Sequence, residues 1–450
     1  ALLGSLQFWP IAAILALLAL AGWLVGHNNI SPAASMQESV NGSSGWTLKT
    51  TLTSLCVLGI ALHLSFSAFE IVFRPIYAWD AWSTWMYRAK VWFLAGDIFP
   101  LANPQDWLRD PKGITHTMEA YRYPSLPSAV PFWVALSLGY WSDTLTNTPV
   151  ILCGIALCMA IFGSCKEHGL GTLGSAFTTY LFISMPLVGI HLSLAGYGDI
   201  WLAGFTGLGF IALLRGFAEQ HRMQLLQGML FLALGCAVKL EGLAWLLLGV
   251  VLLAIFYLPR NRIGIALLVV SIAGLTASLL LGITYVDLPL LGEVGIKDSR
   301  VYAPFIGHYK ISIYNPLPVY FNSLFLSANW HLLWILLACA LLALPLIKEK
   351  RLRYGVLAFT LLLTVSQLFI FGASEKSEYA ETYTAVNRVI IPFLPALLFV
   401  LAAVSHSLSL RTFGPQKQRA MEPTRSLVKI LQYLIVPTVV VILVALGIGI

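Results

Sequence analysis

The sequence predicts an all-α integral membrane protein of about twelve transmembrane helices. Three observations predict it. Of its 450 residues, 58% are hydrophobic and only 10% are charged, where a soluble domain carries about 25% charged residues. Apolar runs of about twenty residues, the length that crosses a bilayer core, recur along the chain. From residue 165 onward, every second loop between those runs is short and basic. This pattern excludes a soluble enzyme. It also gives the net charge of +7 a topological meaning, because the basic residues sit in short loops and not in a nucleic-acid-binding patch. Cys56, Cys153, Cys158, Cys165, Cys236 and Cys339 lie in or beside apolar runs without the paired spacing of a zinc site, and read as small core residues.

The expected spans are 6–26, 51–73, 148–164, 171–192, 199–215, 224–240, 242–258, 263–283, 331–347, 354–372, 388–410 and 428–450. The first lacks a basic flank and is not read as a signal peptide. The apolar stretch 127–141 has only about fifteen residues, short for a span, and is expected to be re-entrant or interfacial. Basic loops at Lys166, at Arg215 and Arg222, at Arg260 and Arg262, at Lys348–Arg353 and across 411–429 are assigned to the cytoplasm. Loops 74–147, 284–330 and 373–387 then face outside, and 27–50 faces inside. Residues 1–410 form the expected multi-pass catalytic region with its outer loops, and 411–450 a basic cytoplasmic loop and the last transmembrane helix. No inverted repeat of the transporter kind is visible.

The first outer loop opens with "YAWDAWSTWMYRAKVWF", four tryptophans around Asp80, Arg88 and Lys90. Read as one helix from Ala81 to Gly96, it gathers Trp82, Trp85, Met86, Ala89, Trp92 and Phe93 on one apolar face. Tryptophan prefers the membrane–water boundary and basic side chains snorkel there, so the expectation is an interfacial helix on the outer leaflet. Asp80 has two compatible readings. It is a helix N-cap, a role contributing about 1 kcal/mol, or a carboxylate fixed where a lipid headgroup meets a water-borne acceptor.

Further ionisable residues gather on the same face. Glu119, Arg122 and Tyr123 precede a proline-broken apolar segment, and Tyr197 and Asp199 sit in "GYGD". Lys239 and Glu241 share the tight "VKLEG" turn, where they could simply pair, and rank as secondary. His308 and Lys310 lie in "GHYKISIYNPLPVYF", and Glu381 and Arg388 precede a later span. Ionisable groups at membrane depth are costly and are functional candidates by default. Each alone also reads as a snorkelling or paired loop charge; their convergence on one face favours a site that holds both a base and an anion.

Five pieces in order resemble the GT-C superfamily of integral-membrane glycosyltransferases, near the protein-mannosyltransferase and aminoarabinose-transferase branch. They are Asp80 in "WDAW", "YPSLPSAVPFWVAL" with Pro124 and Pro127 kept and a double proline lost, Asp199 in "GYGD", Lys239–Gly242 in "VKLEG", and Arg388, Pro392 and Pro395 in "NRVIIPFLP". Together they cover about residues 50–410. The resemblance implies a polyprenyl-phosphate sugar donor, an acceptor hydroxyl at the outer face, and inversion. It implies Asp80 as general base and Arg388, with Arg122 and Lys310, as cations for the donor phosphate. Asp199, Tyr197, Glu119, Tyr123, Glu381, Trp79, Trp82 and His308 are the expected sugar- or acceptor-binding residues, and 284–330 a closing lid. Asp199 has three readings: it orients the partner of Asp80, binds sugar or holds an ion. No cofactor is required; Asp80, Asp199 and Glu119 have the oxygen ligands to share a divalent cation, and metal dependence is left open. The partners implied are the donor lipid, a glycan, lipid or protein acceptor and the membrane, with no nucleic acid. The expected location is a bacterial inner membrane with the site facing the periplasm. The alternative is a flippase for polyprenyl-linked sugars, which would place its charges near the bilayer midplane and not at one end.

Overall fold

A computed structural model describes residue 13 and residues 47–413, apart from 111, 114, 119, 195, 258–283, 289–291 and 304–306. The expected spans 263–283 and 428–450 lie outside the described residues, as does 6–26 apart from residue 13. The chain divides into two compact units. One comprises Ala1–Leu152 with Leu192–Gly198, the other Cys153–His191 with Asp199–Ile450.

The first unit begins with α1, Leu48–Phe73, whose N-cap Thr47 accepts a hydrogen bond from the Thr50 amide. Its 26 residues give a length of about 39 Å, more than a hydrocarbon core of about 30 Å. Only 11% of its most apolar window is buried, so Leu55, Leu58, Leu62, Phe66 and Phe69 present a surface suited to lipid. After a short extended link the chain turns at Trp79, makes a π-turn over Ala81–Trp85 and continues as α2, Met86–Ala95. Then follows α3, Leu126–Leu138, with Pro127 in its first turn and Pro131 inside. Its 13 residues span about 20 Å, too short to cross.

The expected single amphipathic helix is corrected here. The π-turn inserts a residue into the helical register. Trp85, Met86, Ala89 and Trp92 keep the expected face, and that face is buried in protein, not turned to lipid. Trp92 meets Phe132 of α3 edge-to-face at 6.0 Å between ring centroids. Arg88 does not snorkel; it is buried with them. The 192–198 segment also packs on this helix. Gly196 has φ +82°, and a Cβ there would stand 2.5 Å from Met86 Cγ and 2.8 Å from Ala81 Cβ. The Asn147 side-chain oxygen accepts the Gly196 N–H at 2.9 Å.

The second unit takes in most of α4, Pro149–Glu167, then α5, Thr172–Ser184, and most of α6, Pro186–Ser193. The expected continuous span 171–192 is in fact broken, with α5 and α6 meeting at 63°. Proline at 186 removes an amide and forbids a straight continuation. His331 Nε2 meets the freed Ser184 carbonyl at 2.9 Å. Next come α7, Asp199–Glu219, α8, Arg222–Gly235, and α9, Glu241–Tyr257. Helices α7 and α8 approach closely through glycine: a Cβ on Gly228 would lie 2.8 Å from the Gly209 carbonyl oxygen. Small residues at such crossings are the usual means of bringing membrane helices together.

The region 284–330 is not helical or irregular throughout, which corrects the all-α expectation. Strands β1, Tyr285–Leu288, β2, Gly292–Lys297, β3, Arg300–Ala303, and β4, Gly307–Lys310, form an antiparallel sheet in sequence order. Asp298 and Ser299 turn β2 into β3 with φ of 50° and 56°, the paired positive dihedrals that a two-residue hairpin demands. A short helix α10, Leu317–Phe321, and a π-turn follow, then α11, Leu333–Ala343, and α12, Lys350–Gly372. The strand end is pinned to the segment after α12, with the Glu375 amide donating to the Lys310 carbonyl at 3.0 Å. The unit closes with α13, Ser377–Glu381, α14, Val386–Ile390, a 3-10 turn, and α15, Leu394–Phe413.

Among the described residues, five helices are long and apolar enough to cross a membrane, six if the bent pair is one span. Helices α8 and α11, expected as spans, have 14 and 11 residues, fewer than the usual twenty or so.

Candidate functional site

The buried charges of the second unit converge on Asp199, the first residue of α7. Its carboxylate is 1% exposed. Oδ1 lies 3.0 Å from Lys239 Nζ, and Oδ2 lies 3.0 Å from Arg388 Nη2. His191 Nδ1 stands 3.4 Å from Oδ2. Lys239 also reaches Glu241 Oε1 at 3.6 Å.

Each member arrives from a helix end. His191 lies in the last turn of α6 and Asp199 opens α7. Lys239 precedes α9, Glu241 begins it, and Arg388 lies in α14. Helix ends carry unsatisfied backbone groups and accept polar company; helix middles in lipid do not. The N-terminus of α7 also favours an anion, since the peptide dipoles place partial positive charge there. Two carboxylates face two permanent cations and a histidine, so the cluster is charge-compensated inside an apolar bundle, the condition for burying ions at tolerable cost.

The cluster is not sealed. The Arg388 side chain is 28% exposed, while its Nη2 stays on Asp199 at 3.0 Å. Tyr309 of β4 lies close enough to Glu241 and Glu375 to feel their charge. Burial raises its phenol pKa first, and the two carboxylates raise it further. Lys376 stands 5.5 Å over the Tyr309 ring.

Of the residues expected from sequence, the structure brings Asp199, Arg388, Lys239 and Glu241 together. Lys239, ranked as secondary, is central: its closer partner is Asp199, not Glu241. Lys310 and His308 are exposed on β4 and Glu381 is exposed at the end of α13; among the described residues none of the three is paired with the Asp199 carboxylate. His191 was not singled out, although a histidine eight residues before Asp199 at the end of an apolar run was the available signal.

In the first unit, Asp80 stands at the N-cap position of the π-turn, but its side chain makes no capping hydrogen bond. Its backbone is already helical, and Ala78 supplies the first carbonyl, to the Trp82 amide at 3.2 Å. Asp80 is half-buried. Trp79 and Trp82 flank it, 61% and 48% exposed, edge-to-face at 4.7 Å. Tyr123 packs edge-to-face on Trp85 at 5.2 Å, and Tyr197 packs against the cluster of Ala78, Ala81 and Met86. Arg122 is exposed, its guanidinium 5.4 Å over the Tyr121 ring. Glu119 lies outside the described residues.

A shared divalent cation on Asp199 does not fit. Both of its oxygens already face cations at 3.0 Å, which would repel a metal. Among the described residues no three His, Cys, Asp or Glu side chains form a metal-ligating group.

The structure is similar to the crystal structure of ArnT from Cupriavidus metallidurans in the apo state, with a TM-score of 0.48 and 15% sequence identity over 81% of this chain. The chain spans 62% of the length of that protein. No family model matches the sequence. No curated protein matches it either.

Proposed function

We propose that the protein is a membrane glycosyltransferase that moves a sugar from a polyprenyl-phosphate donor to an acceptor hydroxyl at the outer membrane face. The observation that carries the reading is the cation pair, Arg388 and Lys239, held on the buried carboxylate of Asp199, with Arg388 partly exposed. The ordered resemblance of five sequence pieces to the GT-C enzymes supports the same reading.

The chemistry follows from charge. The acceptor oxygen attacks the anomeric carbon, the bond from that carbon to the phosphate oxygen breaks, and the departing lipid phosphate gains negative charge. Preorganised cations aimed at that oxygen lower the barrier. Arg388 takes this role, with Arg122 and Lys310 assisting. Asp199 orients Arg388 and Lys239; its occupied oxygens make it a poor sugar ligand. Asp80 takes the acceptor proton, a contribution of about 10²–10⁴-fold for general-base help. One displacement inverts the anomeric configuration. Trp79 and Trp82 offer exposed ring faces to the sugar or acceptor, and Tyr123, Tyr197, Glu119, Glu381 and His308 are assigned polar contacts. The expected setting is a bacterial inner membrane with the site towards the periplasm.

The test is release of radiolabelled hexose from a polyprenyl-phosphate donor by purified protein in lipid, wild type beside Asp80→Asn. The expected result is transfer by wild type and a loss of at least about 10²-fold in the variant with donor binding kept. Movement of donor lipid between leaflets without any sugar release would overturn the reading in favour of the flippase.

A further inference from the structure

Arg88 is 2% exposed. Its Nη1 donates to the carbonyls of Tyr123 at 2.8 Å and Pro124 at 3.2 Å, and to Ser125 Oγ at 3.2 Å. Its Nη2 donates to the carbonyls of Tyr121 at 3.1 Å and Ala120 at 3.5 Å. All five partners are neutral oxygens of one six-residue segment. That segment lies between the described helices α2 and α3 and belongs to no helix or strand. The Ala120 carbonyl takes the Tyr123 amide at 3.0 Å, but no helix or strand supplies ladder partners to those of Tyr121, Tyr123 and Pro124. A single planar guanidinium replaces them, and its fixed fork of donors dictates where each carbonyl points. With the carbonyls of 121, 123 and 124 turned inward to Arg88, the side chain of Arg122 is exposed.

We propose that Arg88 is a positioning residue: its buried guanidinium is the pivot around which residues 120–125 fold, so that Arg122 is held outward as a cation for the donor phosphate. The functional half rests on the glycosyltransferase reading; the folding half does not. The Arg88 charge is spent inside the protein, and Arg122 is the cation it presents. Lysine cannot substitute well, because one ammonium cannot span five acceptors arranged for a fork.

The test pairs two readouts on the intact protein in lipid. The first needs no ligand: trypsin cleavage after Arg122, with exposed Lys112 in the same loop as internal control. Arg88→Lys is expected to speed cleavage after Arg122 by about tenfold or more, the equivalent of one charge-assisted hydrogen bond, with cleavage after Lys112 unchanged. An equal change at both sites, or none, overturns the pivot. If Arg88→Lys does not fold, Ser125→Ala removes one acceptor and should still raise the ratio of the two cleavages; no rise overturns it. The second readout is binding of polyprenyl phosphate. Arg88→Lys and Arg122→Met should each weaken it by about tenfold, and the double variant should be no weaker than Arg122→Met alone. Multiplying effects would show that Arg88 does not act through Arg122. No binding by wild type would instead count against the glycosyltransferase reading, with the cleavage result still deciding the pivot.

Discussion

Replacing Asp199 by asparagine keeps the side-chain shape and removes the charge that Lys239 and Arg388 share. The cost can be worked from the geometry. Removing one partner of a buried ion pair costs about 3–5 kcal/mol, because the remaining charge is stranded. Arg388, 28% exposed, can draw water to itself. Lys239, 9% exposed, is far less able to, and Glu241 at 3.6 Å is a longer contact than the one it loses. The loss therefore falls mainly on Lys239, near the lower bound of about 3 kcal/mol. For 450 residues, at about 2.1 cal/mol/K of unfolding entropy each, that corresponds to a fall in Tm of about 3 °C. The assay is thermal unfolding in lipid nanodiscs, followed by tryptophan fluorescence. The cycle is closed with Lys239→Met. If the stranded ammonium is the cause, Asp199→Asn with Lys239→Met should recover about half of the loss, since neither partner then remains buried alone. A double variant that loses the sum of both single losses would refute this account of the cluster. So would an Asp199→Asn protein as stable as wild type.

Three further outcomes follow from particular contacts. Gly228→Val should destabilise by about 1–3 kcal/mol or more, because a Cβ there meets the Gly209 backbone oxygen at 2.8 Å; thermal unfolding checks it. His331→Ala leaves the Ser184 carbonyl at the 63° bend without that partner and should cost about 1–3 kcal/mol, read as a lower Tm. His168 has its pKa lowered from 6.5, first by burial and then by the charges of His406 and Arg215. Its folded-state pKa lies below the unfolded one, so the unfolded chain binds the proton more readily. Its stabilising contribution is present above about pH 6.5 and is lost as pH falls through the lower folded value. His168→Gln should flatten that part of a Tm-against-pH curve.

Sequence reasoning located the charged residues of the candidate site better than it paired them. Asp199, Lys239 and Arg388 stand out because an apolar bundle carries few ions, and each has a reason to exist. Their pairing is not local: 40 residues separate Asp199 from Lys239 and 189 separate it from Arg388. The adjacent Glu241 therefore looked like the natural partner of Lys239. Arg88 was misplaced for a different reason. A period of 3.6 puts it beside the apolar stripe, and that stripe packs on protein, with Trp92 against Phe132 of α3, where composition had suggested lipid. The sheet has a signal in the sequence, since "EVGIK" and "RVYA" flank Asp298 and Ser299 as two short strands flank a turn. The bend at Met185 had its signal in Pro186, which an unbroken apolar run outweighed. In membrane chains hydropathy marks where helices can be; it does not say where they break.

The central claim is that Arg388, oriented by Asp199, takes the phosphate of a polyprenyl lipid. The most direct measurement is saturable binding of polyprenyl phosphate to the purified protein in nanodiscs, wild type beside Arg388→Gln, with an unfolding curve for each. The account predicts saturable binding by wild type and a weakening of at least about tenfold in Arg388→Gln, the loss of one charge-assisted contact. Equal affinity in two equally folded proteins would contradict it.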